Sequence, residues 1–196
     1  MELSSLTISR IFAAVAVVFG IIAIILASVG LGTPEWQSTY THTTGSAQLA
    51  STNNFFYACS YSSGSLVACA SRGSSFTYYA SSTNYLNGLL SKANDTSSRF
   101  DSASGLSIVG IILIGFGTVS TFLMIFLSKF IVIVILAPIL FFLATLFMLA
   151  GLAEGSRVLI FNGYSANLYE TGHMLTILGF GLCCVAAARF QALKSV

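Results

Sequence analysis

Four stretches of the chain are apolar for the length of a membrane span and contain no charged residue. They cover residues 11–31, 105–127, 130–153 and 172–188. A helix rises 1.5 Å per residue, so about 20 apolar residues cross the hydrocarbon core of a bilayer. The backbone must satisfy its own hydrogen bonds there, and the runs lack the two-residue alternation of barrel strands. The sequence therefore predicts four membrane-spanning α-helices.

The amino-acid composition excludes most soluble proteins. Charged residues make up 7% of the 196 positions and hydrophobic residues 56%, whereas soluble globular domains carry roughly 25% charged residues. The chain lacks the motifs of zinc proteases, serine hydrolases and phosphate-binding loops, and no His, Cys or acidic cluster has the spacing of metal ligands. We therefore expect a protein of the lipid bilayer that is not an enzyme, holds no cofactor or metal and binds no nucleic acid.

The basic residues next to the spans predict the orientation of the chain. Lys and Arg in short flanking segments collect on the cytoplasmic side of a membrane. Four of these residues lie on one side of the spans, namely Arg10, Lys129, Arg189 and Lys194. Only Arg157 lies in the short loop on the other side. We therefore predict a multi-pass protein of the plasma membrane with both termini in the cytoplasm.

The spans and loops together are interpreted as a single tetraspan domain, residues 1–196. In the predicted orientation the first loop, 32–104, and the second loop, 154–171, face outward, and a short tail, 189–196, is cytoplasmic. A connection of only two residues joins the second span to the third. Such a short connection makes these two helices antiparallel neighbours.

Small residues recur every three or four positions along three of the spans. Such stripes let helices approach closely, and close van der Waals contact holds helices together in lipid. This spacing predicts a left-handed four-helix bundle. The alternative is that Gly and Ala are simply frequent in membrane helices. The residues are Ala16, Gly20, Ala23 and Ala27; Ala103, Ser107, Gly110, Gly117 and Thr121; and Gly172, Thr176, Gly179, Cys183 and Ala186.

The first loop is rich in Ser, Thr, Tyr and aromatic residues, which is typical of β-strands. We predict strands over 55–61 and 66–71, joined by a hairpin turn with Gly64 at its centre. This register places Cys59 opposite Cys69. Directly opposed residues of paired strands are close enough for a disulfide bond after small adjustments, and the extracellular compartment is oxidising. We therefore predict a Cys59–Cys69 disulfide.

At these residues the chain resembles the claudin superfamily, which includes the peripheral myelin protein, epithelial membrane protein and stargazin-like groups. The family pattern is Pro-x-Trp after the first helix, then Gly-Leu-Trp, two residues, Cys, eight to ten residues and Cys. Pro34 and Trp36 match the first element, and Cys59 and Cys69 match the last. Phe56 stands where the second tryptophan is expected. It keeps an aromatic ring there but lacks the indole N–H.

The resemblance implies an all-α membrane bundle that carries a small extracellular antiparallel β-sheet. The first loop would supply most of this sheet, and the second loop would add a strand at residues 158–162. The resemblance also implies a structural protein that oligomerises laterally and mediates cell–cell contact or a paracellular barrier at cell junctions. The expected partners are then other copies of the chain, in cis and in trans.

Apolar residues of the two loops are the candidates for such contacts. The first loop carries balanced charges, so a charge-selective pore is not expected. The alternative is that these apolar residues only anchor the loops at the membrane surface. The candidates are Leu66 and Val67 at the hairpin and Phe161, Tyr164 and Tyr169 in the second loop.

Two other functions remain open for a chain of this kind. Stargazin-like relatives are auxiliary subunits, so this chain could instead bind and regulate a channel or receptor. A homo-oligomeric pore within one membrane is the third interpretation. Many claudins bind PDZ scaffolds through their last residues, but Val196 lacks the usual upstream context and PDZ binding is not expected.

Two kinds of covalent modification are suggested by short motifs. Asn94 begins an Asn-Asp-Thr sequon for N-glycosylation in the outward loop. Cys183 and Cys184 lie near the cytoplasmic end of the fourth span, where relatives carry palmitoylated cysteines. For the cysteines, the alternative is that both are small buried residues of the bundle.

Overall fold

The computed structural model of the protein describes residues 2–43, 46–72, 77–80 and 97–193. The chain groups into two compact units, which we call the helical unit and the sheet unit. The helical unit consists of Met1–Ser28, Ser107–Leu149 and Glu170–Val196.

The sheet unit consists of Val29–Leu106 and Ala150–Tyr169. It therefore combines both segments that the sequence places outside the membrane with the adjoining helix ends. The two units are described separately below.

Four long helices account for most of the described residues. They are α1 (Glu2–Gly32), α2 (Ser97–Phe126), α3 (Ile131–Gly155) and α4 (Tyr164–Ala192). Each is long and apolar enough to cross a membrane, which indicates a multi-pass membrane protein. α2 and α4 begin well before the apolar runs that predicted them, because each residue added to an existing helix gains a hydrogen bond whatever its polarity.

The small residues predicted to line the bundle are buried, which confirms that they face other helices rather than lipid. Phe141 of α3 shows why they are small. The ring is fully buried, and glycines of the three other helices surround it. A Cβ at Gly20 or Gly117 would lie 3.2 Å from this ring, and one at Gly179 would lie 3.5 Å away. At this level of the helical unit, one large ring is therefore enclosed by three glycines.

The sheet unit contains a five-stranded antiparallel sheet in which sequential strands are neighbours. Its strands are β1 (Gln37–Thr43), β2 (Ser46–Asn53), β3 (Tyr57–Ser62), β4 (Ser65–Ser71) and β5 (Thr77–Ala80). A meander of this kind needs only short connections between successive strands. The prediction of a small antiparallel sheet in the first loop is confirmed.

The β3–β4 hairpin confirms the predicted disulfide through a different geometry. The turn residues are Ser63 and Gly64, both with positive φ (50° and 78°), as in the type I′ turns preferred by hairpins. This turn alone would pair Cys59 with the residue before Cys69. A register shift beyond Tyr61 leaves Val67 unpaired and brings the cysteines opposite each other, 4.1 Å apart at Cα.

The predicted strand at residues 158–162 is wrong. After α3 the chain makes a turn and an irregular segment that leads directly into α4. Glu154 and Arg157 form an exposed ion pair here, with 3.0 Å between Oε1 and Nη1. The segment contributes no strand because its hydrogen bonds go to the chain following α1, as described next.

Candidate functional site

Trp36 is the fully buried centre of the sheet unit. Its indole packs against the rings of Phe55, Phe161 and Tyr169, with ring centroids 4.4, 5.1 and 5.3 Å away. Its Nε1–H donates to the carbonyl of Gly30 at 2.6 Å. We call the four rings the Trp36 cluster. The cluster joins the two loops, because Phe161 and Tyr169 follow α3 whereas Trp36 and Phe55 precede α2.

The backbones of the two loops also bind each other directly. The amides of Asn162 and Gly163 donate to the carbonyl of Trp36 at 3.2 and 3.0 Å, and the amide of Ser165 donates to the carbonyl of Glu35 at 3.2 Å. A Cβ at position 163 would overlap the Glu35 carbonyl. Only glycine therefore permits this close approach.

Asn162 takes the place of the strand that was predicted in the second loop. Its side-chain Oδ1 accepts from the amide of Ser38 at 2.8 Å, and its Nδ2 donates to the Ser38 carbonyl at 2.9 Å. These are the two hydrogen bonds that a neighbouring strand would make to one residue of β1. One side-chain amide thus satisfies the start of this sheet edge.

Asn54 fixes the connection between β2 and β3. Its Oδ1 accepts from the amides of Phe56 and Tyr57 at 2.8 and 2.7 Å. Its Nδ2 donates to the carbonyl of Thr33 at 3.2 Å. The side chain is fully buried, and hydrogen bonds on both ends of the amide offset the cost of that burial.

Arg72 closes the same corner from the end of β4. Its Nε donates to the Asn54 carbonyl at 2.7 Å, and an Nη donates to Oδ1 of Asn53 at 3.3 Å. Its guanidinium lies 3.8 Å from the ring centre of Phe100, at the start of α2. Burial lowers the pKa of Arg72 to about 10, so the group stays protonated at neutral pH. Arg72 links the sheet to α2.

The candidate contact residues divide into exposed and buried ones. Leu66 is 41% exposed and Tyr164 is 49% exposed, whereas Val67 is half-buried. Tyr169 was predicted as a contact residue, and this prediction is wrong, because the side chain is fully buried against Trp36. Phe161 is half-buried in the same cluster.

The ring that packs on Trp36 is Phe55 rather than Phe56, which the family pattern had pointed to. Phe55 is buried, while Phe56 is half-buried. The backbone amide of Phe56 binds Asn54, and its carbonyl accepts from the amide of Arg72 at 2.7 Å. Pro34 of the Pro-x-Trp element lies half-buried between α1 and Trp36.

The modification candidates have different outcomes. Cys183 is fully buried, with its Sγ 3.4 Å from Oγ1 of Thr121, which fits the alternative of a small buried residue of the bundle. Cys184 is half-exposed and remains a candidate. The sequon at Asn94 and the terminal Val196 lie outside the described residues.

Sequence reasoning missed the three polar residues that organise this site, Asn54, Asn162 and Arg72. An asparagine that directly precedes a predicted strand often bonds to the backbone two residues on, so Asn54 carried a usable signal. Asn162 and Arg72 bind segments that are distant in sequence, and no local pattern indicates their partners.

The described residues contain no group of three His, Cys, Asp or Glu side chains that could hold a metal ion. No family model matches the chain, and a search of curated proteins finds no match. The class of protein therefore follows from the architecture alone. It is a multi-pass membrane protein with four apolar helices and a disulfide-bonded antiparallel sheet.

Proposed function

We propose that this chain is a claudin-like tetraspan of the plasma membrane that assembles laterally and mediates cell–cell contact as part of a paracellular barrier. Its role is structural and not catalytic. The observation that carries the proposal is the sheet unit, in which a disulfide links β3 to β4 and the Trp36 cluster packs residues of both loops together. A cross-linked platform of this kind suits repeated contacts between copies, because little order is lost on binding.

The disulfide supports an extracellular position for the sheet. Such bonds persist in oxidising compartments and are rare in the cytosol. The basic residues next to the spans favour the same orientation, with both termini in the cytoplasm. The sheet unit then faces the space between cells, where a junction protein must act.

The charge pattern supports a barrier or adhesive contact over an ion-selective pore. Residues 37–71, which form β1 to β4, contain no Asp, Glu, Lys or Arg. Selective pores use rings of like charge to attract counter-ions. Identical neutral sheets can meet without repulsion between like charges.

Exposed apolar side chains of the sheet unit are the proposed contacts. Leu66 lies beside the β3–β4 turn, Ile160 is 67% exposed after α3, and Tyr164 begins α4. The buried centre of a protein interface is more apolar than its rim, and aromatic residues such as Tyr are enriched at interfaces. Ile160 replaces the buried Tyr169 among the contact residues expected from the sequence.

Mixing of non-adherent cells tests the proposed function. Cells that express a fluorescently tagged chain are mixed with cells that express it and with cells that do not. We expect enrichment at contacts only where both cells express the chain, and a clear reduction for the Leu66→Ser/Ile160→Ser variant. Ser65→Ala, at the same turn, serves as the matched control. Equal fluorescence at all contacts would contradict the proposal.

A groove on the helical unit favours a second function, that of an auxiliary subunit of a channel or receptor. It has a volume of about 380 Å³ and is lined by α1 and α2 residues that include Val17, Ile21, Gly115, Val119 and Phe122. An apolar groove in lipid can receive a helix of a partner through van der Waals contact. Such a partner would co-purify with the chain.

A glycine substitution tests this second function. A Cβ at Gly115 meets open space, so Gly115→Leu fills the groove without disturbing the fold. Gly181→Leu is the matched control, because Gly181 is also open and does not line the groove. Loss of a co-purifying membrane protein for Gly115→Leu alone would support the auxiliary role. A chain that purifies only with copies of itself would exclude it.

A further inference from the structure

Beyond Ser38, the backbone groups on the outer edge of β1 have no partner strand in the part of the chain that the structure describes. β1 pairs with β2 on one side, and Asn162 occupies Ser38 on the other. In an antiparallel strand, the backbone N–H and C=O groups of every second residue point to the same side. Those of Tyr40 and His42 therefore face outward, as those of Ser38 do. Among the described residues, none bonds to these four groups from that side.

This part of the strand is also uncovered on both faces. Thr39, Tyr40, Thr41 and His42 are all exposed, and the Tyr40 side chain is 55% exposed. Natural proteins protect an edge strand with Lys, Pro, inward charges or a covering segment. β1 contains no Lys, Pro or acidic residue. Its only irregularity is the register shift between Thr39 and Tyr40, whose extra residue lies in β2.

The geometry points to the outer edge of β1 as a docking site for the same strand of a second copy of this chain, paired antiparallel about Thr41. This inference rests on the lateral assembly proposed above and names the surface that would carry it.

The neutrality of the strand favours an identical partner. In a symmetric pair each residue lies near its own copy, so a charged strand would meet like charges. No residue between 37 and 71 carries a permanent charge. A contact of one short strand is small for a stable complex in solution. Confinement in a membrane raises the local concentration enough for such weak contacts to act together.

The occupied Ser38 determines the register. Pairing about Thr41 places Tyr40 of one copy opposite His42 of the other, so the outward N–H and C=O groups of both residues are bonded. The hydrogen bonds between Ser38 and Asn162 stay intact. Pairing about Tyr40 would place His42 opposite Ser38 and displace that bridge. Thr41 then faces Thr41 as a non-hydrogen-bonded pair, with Cα atoms about 4.5 Å apart.

Cysteine cross-linking of the full chain in cell membranes tests this register. Thr41→Cys should form disulfide dimers under mild oxidation, since its Cα separation suits that bond. Thr39→Cys is the matched control on the same exposed strand. In the proposed register it faces Thr43, so two copies of position 39 are offset by about 13 Å along the strand at 3.3 Å per residue. We expect several-fold less dimer for this control.

A second pair of variants separates backbone pairing from accidental collision. Tyr40→Pro removes an outward N–H and spares the bonds to β2, whereas Tyr40→Ala keeps that N–H. In the Thr41→Cys background, we expect Tyr40→Pro to abolish the dimer and Tyr40→Ala to retain it. An intact Cys59–Cys69 bond and normal surface delivery verify the fold of each variant.

Three outcomes would overturn the inference. They are an absence of Thr41→Cys dimers, equal cross-linking of positions 39 and 41, and a cross-linked species whose mass indicates a different protein. The cell-mixing assay distinguishes this failure from failure of the proposed function. Enrichment at contacts without Thr41→Cys dimers would refute the strand pairing alone, while dimers without enrichment would refute the junctional role alone.

Discussion

The helical unit and the sheet unit are held together by different residues. Around Phe141 the helical unit uses glycines, and its other buried positions are mostly Ala, Ser and Thr. The sheet unit buries large rings, including Trp36 and Phe100, and adds a disulfide. In lipid there is no gain from removing apolar surface from water, so packing depends on close approach. In water, the burial of aromatic surface is the main favourable term.

Polar side chains differ between the units in the same way. In the helical unit, Thr121 and Thr176 donate to carbonyls four residues earlier in their own helices, both at 2.8 Å. In the sheet unit, Asn54 and Asn162 bind the backbone of distant segments. These two threonines are therefore satisfied within their own helices, whereas the two asparagines connect segments that are distant in sequence.

Removal of the Trp36 ring is the strongest test of this contrast. Trp36→Ala should destabilise the sheet unit by about 4 kcal/mol, because a large ring leaves a cavity and water then reaches its neighbours. Trp36→Phe should cost about 1–3 kcal/mol, since it leaves the Gly30 carbonyl unsatisfied. Hydrogen exchange of the full chain in lipid nanodiscs would measure both. We expect hydrogen exchange to become faster in the amides of the sheet and to stay unchanged in those of the helices. Equally faster exchange in both would contradict the view that different residues stabilise the two units.

Removal of the Phe141 ring should have a smaller effect of the same kind. Phe141→Ala loses van der Waals contacts with the surrounding glycines but no transfer from water, so we expect a cost of about 2–3 kcal/mol. Phe116→Ala is the matched control, because Phe116 is 61% exposed and its loss should change little. Unfolding of the helical unit in mixed micelles would compare the two. If Phe141→Ala lowered the free energy of unfolding as much as Trp36→Ala, the difference between lipid and water would not explain how the two units are stabilised.

The four long helices of the described residues could be predicted from the sequence, because twenty uncharged residues in a row have few other solutions. The ends of α2 and α4 could not, since helices continue into polar sequence as long as their hydrogen bonds propagate. This extension explains the error at Tyr169. It lies in the first turns of α4, and its ring faces Trp36.

The disulfide was predicted correctly for a reason that was only partly right. A turn centred on Gly64 would have aligned the cysteines without irregularity. The actual turn is centred between Ser63 and Gly64, and the extra Val67 restores the alignment. A bulge depends on the tertiary surroundings of a strand, and nothing in the local sequence marks it. The pairings of Asn162 and Arg72 depend on distant backbone and were unpredictable for the same reason.

Loss of the disulfide should destabilise the sheet unit by about 2.5 kcal/mol and leave the helical unit unchanged. The bond closes a loop with a sequence separation of 10, and the chain-entropy relation gives this magnitude for such a loop. A Cys59→Ser/Cys69→Ser variant compared with Cys184→Ser, a free cysteine of α4, would isolate the effect. Protease cleavage within the first loop provides the measurement. Equal cleavage of the two variants would show that the Trp36 cluster alone holds the sheet.

The smallest expected effect concerns the β3–β4 turn, which has no counterpart in the helical unit. Ser63 has a φ of 50°, a conformation that costs most L-residues energy but is tolerated by asparagine. Ser63→Asn creates the Asn-Gly pair preferred in type I′ turns and should stabilise the hairpin by about 0.5 kcal/mol. Ser63→Val should act in the opposite direction, because branched side chains resist positive φ. Hydrogen exchange at β3 and β4 would detect both changes. If neither variant changed exchange, the turn would not limit hairpin stability, and the bulge at Val67 would be the element that determines the register.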